Sequence, residues 1–268
     1  MAALGSYLDA RARGGRWLVR MEDLDGPRVI AGCAAQILRT LENFALAWDG
    51  PVDYQSQHTD AYHHALQRLQ AQGATFECSC TRAERQGEGG YAGTCRAGPT
   101  RPGPTATRLR VVSGEFAFED RIQGSCRFEL AERGDVILRR RDGVIAYQLA
   151  VVVDDARQGV TDVVRGADLL DSTPWQILLQ GALGLAPVRY AHLPLVTEPT
   201  GAKLAKSRRS VPLDRGQAGP QLYQALGLLR QSPPAELKAA PATELVAWAI
   251  GHWDLGPLQG IARVQPAV

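Results

Sequence analysis

The sequence predicts an α/β domain built on an open, mostly parallel sheet. Helical and strand-like segments alternate along most of the chain, which is the order that parallel strands and their crossover helices require. The chain has 268 residues, of which 45% are hydrophobic, enough for one large domain with a smaller insertion. Polar segments also follow two of the predicted strands, at the sheet edge where such folds bind ligands.

The first two elements are typical of the second half of a β-α-β unit. Residues 2–12 have helical spacing, but no capping residue stands before them. Gly14 and Gly15 end the helix, and Trp17-Leu18-Val19-Arg20-Met21 predicts a short buried strand. We therefore expect the sheet to lack its first strand in this sequence.

Two helices, an insertion and two strands are predicted next. Apolar periodicity predicts helices from about residue 29 to 46 and from 60 to 71. From 75 to about 106, cysteine, glycine and proline replace aliphatic residues, which indicates a small subdomain held by something other than a core. Strand-like runs follow at 109–112 and 136–139.

The second half of the chain returns to the main core. The apolar run 144–155 leads to a β-rich segment at 160–165. Residues 171–174 (Asp-Ser-Thr-Pro) then offer hydroxyl caps and a first-turn proline to a helix over 175–183. Beyond 217 we expect two short helices. The pair Asp154 and Asp155, at the end of the apolar run, is expected to be a cap or a turn.

Composition limits the possible partners. The 30 basic and 28 acidic residues leave a formal charge of +2, which argues against non-specific binding of polyanions. No apolar run reaches the length of a membrane span, and the start has no signal-peptide core. We predict a cytoplasmic protein, a monomer, with no membrane partner. Three of the five cysteines lie between Cys78 and Cys95, which suits a metal site in a reducing compartment better than a disulfide framework.

One loop is suited to phosphate. Lys203 and Lys206 lie three apart, after a glycine and before Ser207. Two mobile ammonium groups can follow negative charge as it moves to a departing pyrophosphate. A solvated basic turn is the alternative for this short motif alone.

Three segments together resemble the glutamyl branch of the class I aminoacyl-tRNA synthetases. They are Arg20-Met21-Glu22-Asp23-Leu24-Asp25, Val164-Arg165-Gly166-Ala167-Asp168-Leu169 and the run from Tyr147 to Asp155. Lys203-Leu204-Ala205-Lys206-Ser207 resembles the lysine-serine signature of that class, with Ala205 in place of the usual serine or methionine. The resemblance runs from Met1 to about Leu213, and it implies a Rossmann-like catalytic domain.

Within this branch the chain most resembles the glutamyl-queuosine tRNA(Asp) synthetase family. It stops where a discriminating glutamyl-tRNA synthetase continues into an anticodon-binding domain. Its insertion also looks like the zinc site of that family, which implies one structural Zn²⁺ on Cys78, Cys80, Tyr91 and Cys95. From the spacing alone, unrelated thiols remain an alternative. The predicted regions are 1–74 and 107–216 for the catalytic domain, 75–106 for the zinc insertion and 217–268 for a short helical C-terminal region.

The resemblance assigns a role to each candidate site residue. Glu22 receives the α-ammonium group of L-glutamate, while Tyr147 and Arg165 line the amino-acid pocket and Arg165 pairs with the side-chain carboxylate. Lys203 and Lys206 are catalytic and, with Ser207, bind ATP. The alternatives are a helix-start position for Glu22 and a salt bridge from Arg165 to Asp162 or Asp168.

The implied activity has two steps and three partners. Glutamate is activated by ATP and Mg²⁺ to glutamyl-adenylate, and the glutamyl group then passes to queuosine in the anticodon of tRNA(Asp). The histidine-bearing turn that steadies ATP in this class precedes the helix matched by residues 2–7, so we expect it upstream of an internal Met1 rather than lost. The alternatives are a truncated glutamyl-tRNA synthetase and an inactive zinc-containing tRNA-binding paralogue.

Overall fold

Helices and strands alternate along the chain, as the sequence predicts. The computed structural model describes residues 1–81, 84, 91, 93–198 and 213–265. Its α-helices there are α1 (Ala2–Ala12), α2 (Cys33–Asn43), α3 (Thr59–Ala71), α4 (Leu130–Arg133), α5 (Tyr147–Gln158), α6 (Thr173–Ala182), α7 (Ala218–Leu228) and α8 (Ala242–His252). Its strands are β1 (Arg20–Met21), β2 (Asp53–Tyr54), β3 (Thr75–Cys78), β4 (Ala106–Leu109), β5 (Glu115–Asp120), β6 (Gly124–Glu129), β7 (Ile137–Arg139), β8 (Asp162–Gly166), β9 (Arg189–Leu193), β10 (Leu195–Val196) and β11 (Arg263–Val264).

Parallel pairing joins the strands that carry the main core. β1 pairs with β2, and β8 pairs with β9, which in turn contacts β5, all in parallel. The larger sheet has the order β6-β5-β9-β8. The α/β class with a parallel sheet is therefore confirmed. Antiparallel pairing occurs in the β5–β6 hairpin and in the three-stranded sheet β3-β4-β7 at the base of the predicted insertion.

The helix predicted for residues 29–46 is shorter at both ends. It begins at Cys33 because Gly32 adopts the left-handed conformation (φ 79°) that breaks the helical ladder. Its end is set by Ala45, which also has a positive φ of 56°. Val29 and Ile30 stay outside the helix and are exposed. These two apolar residues are therefore not part of the buried face of a helix.

The hydroxyl cap predicted for α6 is wrong, although the proline is in the first turn. No side chain caps the N-terminus of this helix. The Ser172 hydroxyl instead accepts a hydrogen bond from Gln148, and the Thr173 hydroxyl accepts one from Arg165. Both hydroxyls therefore serve tertiary contacts.

The two C-terminal helices share a core with the start of the chain. Leu222 of α7 and Leu245 of α8 are buried in one cluster with Leu4 and Leu8 of α1 and Leu193 of β9. β11 also pairs in parallel with β10. The region predicted as 217–268 thus packs directly on α1 and β9. Among the described residues, no helix is both long and apolar enough to cross a bilayer.

Two glycines of α7 provide a test of this packing. A Cβ added to Gly219 would overlap the carbonyl oxygen of Ala240, whereas one added to Gly227 would meet no atom within 4 Å. We expect Gly219→Ala to destabilise the protein by about 1–3 kcal/mol, because the backbone must move apart. Gly227→Ala, its matched control, should be neutral or stabilising by up to about 1 kcal/mol. Urea unfolding measures both, and equal effects would contradict the close approach.

Candidate active site

A cleft of about 970 Å³ separates β1 from β8. Its long walls are the strand edges at 17–20 and 160–165, and its other walls come from α1 and α5. On the far side of β1, the backbone of Trp17 and Val19 pairs with Asp49 and Asp53. Since alternate residues of a strand face opposite neighbours, the backbone groups of Leu18 and Arg20 face the cleft.

The three residues predicted to bind glutamate all line this cleft. Glu22 follows β1, Tyr147 begins α5 and Arg165 lies near the end of β8. These are the carboxyl end of one strand, the amino end of a helix and the carboxyl end of a second strand, which meet at one sheet edge in parallel α/β folds. The structure therefore brings the predicted set together from three distant segments.

The electrostatics of the three side chains differ. Glu22 is open to solvent at the mouth of the cleft, yet loss of bulk water around it raises its carboxyl pKa, and only part of the shift is offset by Arg20. Burial likewise raises the pKa of the Tyr147 phenol, against the lowering effect of Arg165. Tyr147 is thus a neutral hydrogen-bonding group between an acid and a guanidinium.

Arg165 is fixed by contacts on one side of its guanidinium. It is 8% exposed, and its Nε donates to His192 Nε2 at 3.1 Å while its Nη2 donates to Thr173 Oγ1 at 2.9 Å. The salt-bridge alternative with Asp162 is not observed, because Asp162 pairs with Arg13, Arg121 and Arg189. No acidic partner of Arg165 occurs among the described residues within ion-pair distance.

Sequence reasoning missed a charged pair in the cleft, Arg20 with Asp155. Arg20 donates to Asp155 Oδ1 at 3.0 Å and to Gln158 Oε1 at 2.6 Å. Burial raises the pKa of Asp155, and Arg20 opposes that shift. Asp155 and Arg20 line the cleft beside Glu22, and their opposite charges both act on its carboxyl group.

The neighbouring Asp154 is a structural residue. Its carboxylate is fully buried and accepts hydrogen bonds from the Tyr62 hydroxyl at 2.9 Å and from Gln55 at 2.8 Å. The expectation that Asp154 and Asp155 form a cap or turn is wrong, because both lie inside α5 on its buried side.

The sequence of the chain identifies its family. Residues 1–231 match the sequence model described as "tRNA synthetases class I (E and Q), catalytic domain". The chain belongs to this family. The solved glutamate-tRNA synthetase of Elizabethkingia anophelis has the same fold, with a TM-score of 0.80 over 98% of this chain at 22% identity. This chain spans 64% of the length of that protein.

Closer relatives have a more specific name. The chain is 53% identical to a "Glutamyl-Q tRNA(Asp) synthetase" of Pseudomonas fluorescens over 256 residues, which are 95% of this chain and 86% of that protein. It is 50% identical to the protein of the same name in Pseudomonas syringae pv. syringae over 269 residues, covering 100% of this chain and 91% of that protein.

This member of the class I family also has three converging thiols. Cys78, Cys80 and Cys95 place their sulfur atoms within 4.8 Å of one another. The Tyr91 hydroxyl lies 3.4 Å from Cys78 Sγ and 3.5 Å from Cys80 Sγ. In a tetrahedral site with Zn–S bonds of about 2.3 Å, sulfur atoms stand about 3.8 Å apart. The donor set and its spacing therefore fit a four-ligand zinc ion.

One thiol of this cluster is held toward the ionised form, whereas burial raises the pKa of its neighbour Cys80. Burial would raise the pKa of the Cys95 thiol, but hydrogen bonds from Tyr91 and from the backbone lower it to about 5. A thiolate is the form that binds metal.

The lysine loop lies outside the described residues. Lys203, Lys206 and Ser207 are all within residues 199–212, so their assignment to ATP stays a prediction.

Proposed function

We propose that the protein activates L-glutamate with ATP and transfers the glutamyl group to queuosine in the anticodon of tRNA(Asp). One observation carries the first half: Glu22, Tyr147 and Arg165 line a single cleft in a member of the E and Q synthetase family. The second half rests on relatives that are 50–54% identical and bear the name glutamyl-Q tRNA(Asp) synthetase.

The cleft offers a partner for two of the three charged groups of glutamate, and the third, the α-carboxylate, is the group that reacts. The Glu22 carboxylate pairs with the α-ammonium group, which a neutral side chain would bind poorly. The free edge of the Arg165 guanidinium pairs with the side-chain carboxylate through two parallel hydrogen bonds. Tyr147 lies between them and supplies a neutral donor. Substrate is thus recognised by charge at both ends.

Activation is a displacement at phosphorus. An α-carboxylate oxygen of glutamate attacks the α-phosphorus of ATP, the bond to the bridging oxygen breaks, and pyrophosphate leaves with that electron pair. Lys203 and Lys206 stabilise the charge that develops on the phosphates, and Mg²⁺ enters with ATP. Aligning carboxylate and phosphorus supplies much of the remaining rate, as in other reactions between bound substrates.

Transfer follows without a covalent enzyme intermediate. A hydroxyl of queuosine attacks the glutamyl carbonyl carbon of the adenylate, and AMP leaves as the ester forms. The hydroxyl proton is released to water, so the products are the glutamyl ester, AMP and a proton. Arg165 and Glu22 hold the glutamyl group during both steps.

Two finer features belong to the same proposal. Cys78, Cys80, Tyr91 and Cys95 hold one structural Zn²⁺, which cross-links a segment of the insertion that has few buried aliphatic residues. The sheet is also expected to lack a strand between β1 and β8, an expectation supported by the strand edges that face the cleft from both sides. Such a strand would fill the cleft between these edges, so the substrate is placed at the carboxyl end of the strands, where Glu22, Tyr147 and Arg165 lie. The four predicted regions remain predictions.

Exchange of radiolabelled pyrophosphate into ATP tests the activation step. We expect exchange that depends on glutamate and needs no tRNA. Exchange that strictly requires tRNA would favour a glutamyl-tRNA synthetase. The absence of glutamate-dependent exchange, with and without tRNA and even after the residues encoded upstream of Met1 are restored, would favour a non-catalytic tRNA-binding protein and contradict the proposal.

A further inference from the structure

A buried polar chain lies behind Arg165, on the side away from the cleft. Arg165 of β8 and His192 of β9 are directly paired residues of neighbouring parallel strands. Asp120, at the end of β5, lies beside β9 and contacts His192. Thr173, the first residue of α6, completes the group. Asp120, His192 and Thr173 are each less than 5% exposed, so solvent does not satisfy their polar atoms.

Asp120 fixes which nitrogen of His192 carries the proton. Its Oδ2 lies 2.6 Å from His192 Nδ1, while its Oδ1 accepts the backbone N–H groups of Ile122 and Gln123 at 2.9 and 2.8 Å. Burial would raise the pKa of Asp120, but the hydrogen bond from His192 and those amides outweigh it and hold the pKa below its usual value. A carboxylate can only accept, so His192 Nδ1 is the donor. On the other side of the ring, Nε2 faces the Nε–H of Arg165 at 3.1 Å and the Thr173 hydroxyl at 3.2 Å, so it is the acceptor.

The lone pair of His192 Nε2 points at Arg165. The Nε–H of Arg165 donates to His192 Nε2, and one hydrogen of Arg165 Nη2 donates to Thr173 Oγ1. Nε and Nη2 form one edge of the planar guanidinium. Nη2 also makes a long contact of 3.4 Å with the Leu169 carbonyl oxygen, which the Thr173 hydroxyl contacts as well. The end-on edge of the guanidinium, formed by Nη1 and the outer side of Nη2, is the one that faces a ligand in the cleft that Arg165 lines.

A different protonation state would break the arrangement. If Nε2 carried the proton, it would meet the Nε–H of Arg165 donor to donor. The guanidinium would then rotate away from His192 and lose the contact that orients it. Only an acceptor at Nε2 keeps the edge of Arg165 that faces the cleft in a fixed plane.

We propose that Asp120, His192 and Thr173 are positioning residues that orient Arg165 and thereby set the preference for a carboxylate over an amide at the substrate's far end. The inference rests on the proposed function. Glutamate offers two acceptor oxygens to the free edge, whereas glutamine brings an NH₂ group against a donor. A misoriented guanidinium still attracts negative charge, but it no longer makes two parallel hydrogen bonds.

Isosteric variants at two positions test the proposal. Thr173→Val removes only the hydroxyl, and Thr173→Ser restores it. Asp120→Asn keeps an oxygen for the backbone amides but presents an NH₂ group to Nδ1, which forces the proton onto Nε2. We expect glutamate affinity, measured by calorimetry, to fall about tenfold in Thr173→Val and by about tenfold or more in Asp120→Asn, since hydrogen bonds to charged groups are the stronger class. Thr173→Ser should bind like the parent, and affinity for glutamine should not fall in any variant.

Two further readouts separate positioning from general damage. Thr107 is a fully buried threonine whose hydroxyl donates to Glu77, on the sheet at the base of the insertion. Thr107→Val should lose stability without losing glutamate affinity. The ¹⁵N chemical shifts of the imidazole should report a proton on Nδ1 in the parent and on Nε2 in Asp120→Asn.

The outcomes are distinct. A parent that binds no glutamate, or binds glutamine equally well, overturns the proposed function and this inference with it. A parent that prefers glutamate, together with Thr173→Val and Asp120→Asn variants that keep that preference, overturns only the inference. If Asp120→Asn fails to fold, the comparison of Thr173→Val with Thr173→Ser still decides.

Discussion

Replacing Arg165 by lysine should reduce kcat/KM for glutamate about 100-fold or more. The lysine keeps the positive charge, but it cannot offer two parallel donors to a carboxylate. Loss of a buried, hydrogen-bonded charge pair costs about 2–5 kcal/mol, and each 1.4 kcal/mol is about tenfold. Glutamate-dependent pyrophosphate exchange measures the effect. KM for ATP should stay unchanged, because Arg165 contacts only the amino-acid end of the site in this proposal.

Arg127→Lys is the matched control for this substitution. Arg127 pairs with Glu115 on the β5–β6 hairpin, and its side chain is 70% exposed, so its replacement should leave exchange unchanged. An Arg165→Lys protein that uses glutamate as well as the parent would remove Arg165 from the substrate site. A drop shared equally by both variants would indicate loss of folded protein.

Replacing Cys95 by serine should abolish zinc binding and loosen the insertion. The purified parent should contain about one zinc ion per chain, because three thiolates and a phenol complete a tetrahedral site. Structural zinc sites in small peptides contribute about 10–16 kcal/mol of binding free energy, and much of the insertion depends on this cluster. We therefore expect little metal in the variant, faster proteolysis between residues 79 and 105, and a lower Tm.

Cys126→Ser provides the control for the metal site. Cys126 is also buried, but burial raises the pKa of its thiol to about 11, helped by the nearby charge of Asp120, so it remains a neutral thiol. Its replacement should leave zinc content unchanged in elemental analysis. A parent protein without metal, purified in the absence of chelators, would contradict the zinc assignment outright.

The three residues that line the cleft together could be predicted because motifs carry them. Glu22 follows one predicted strand, Arg165 ends another, and Tyr147 opens a recognisable run. The carboxyl ends of parallel strands share one edge, so these residues had to approach one another once the fold class was known. The coarse order of helices and strands could also be predicted, because hydrophobic periodicity distinguishes the two.

The residues that hold Arg165 could not be found in that way. Asp120 ends a charged strand, Glu-Phe-Ala-Phe-Glu-Asp, and His192 lies in Arg-Tyr-Ala-His-Leu; neither segment was predicted as a strand. Their function depends on which strands are neighbours, and the order β5-β9-β8 is a long-range property. The alternating phenylalanines at 116 and 118 are the one local signal that could have indicated β5.

Asp154 and Asp155 show why a local pattern can mislead. An acidic pair after an apolar run is common at caps and turns, but here the helix continues to Gln158. The partners that make burial of these carboxylates possible, Tyr62 for Asp154 and Arg20 for Asp155, come from segments more than 90 residues earlier. Burial of charge is therefore decided by tertiary contacts that no window of sequence contains.

Transfer of labelled glutamate to purified tRNA tests the central claim most directly. The protein, ATP and ¹⁴C-glutamate are incubated with tRNA(Asp) that contains queuosine and with tRNA(Asp) from cells unable to make it. We expect label only on the queuosine-containing tRNA. Equal labelling of both tRNAs, or labelling of tRNA(Glu) at its 3′ end instead, would contradict it.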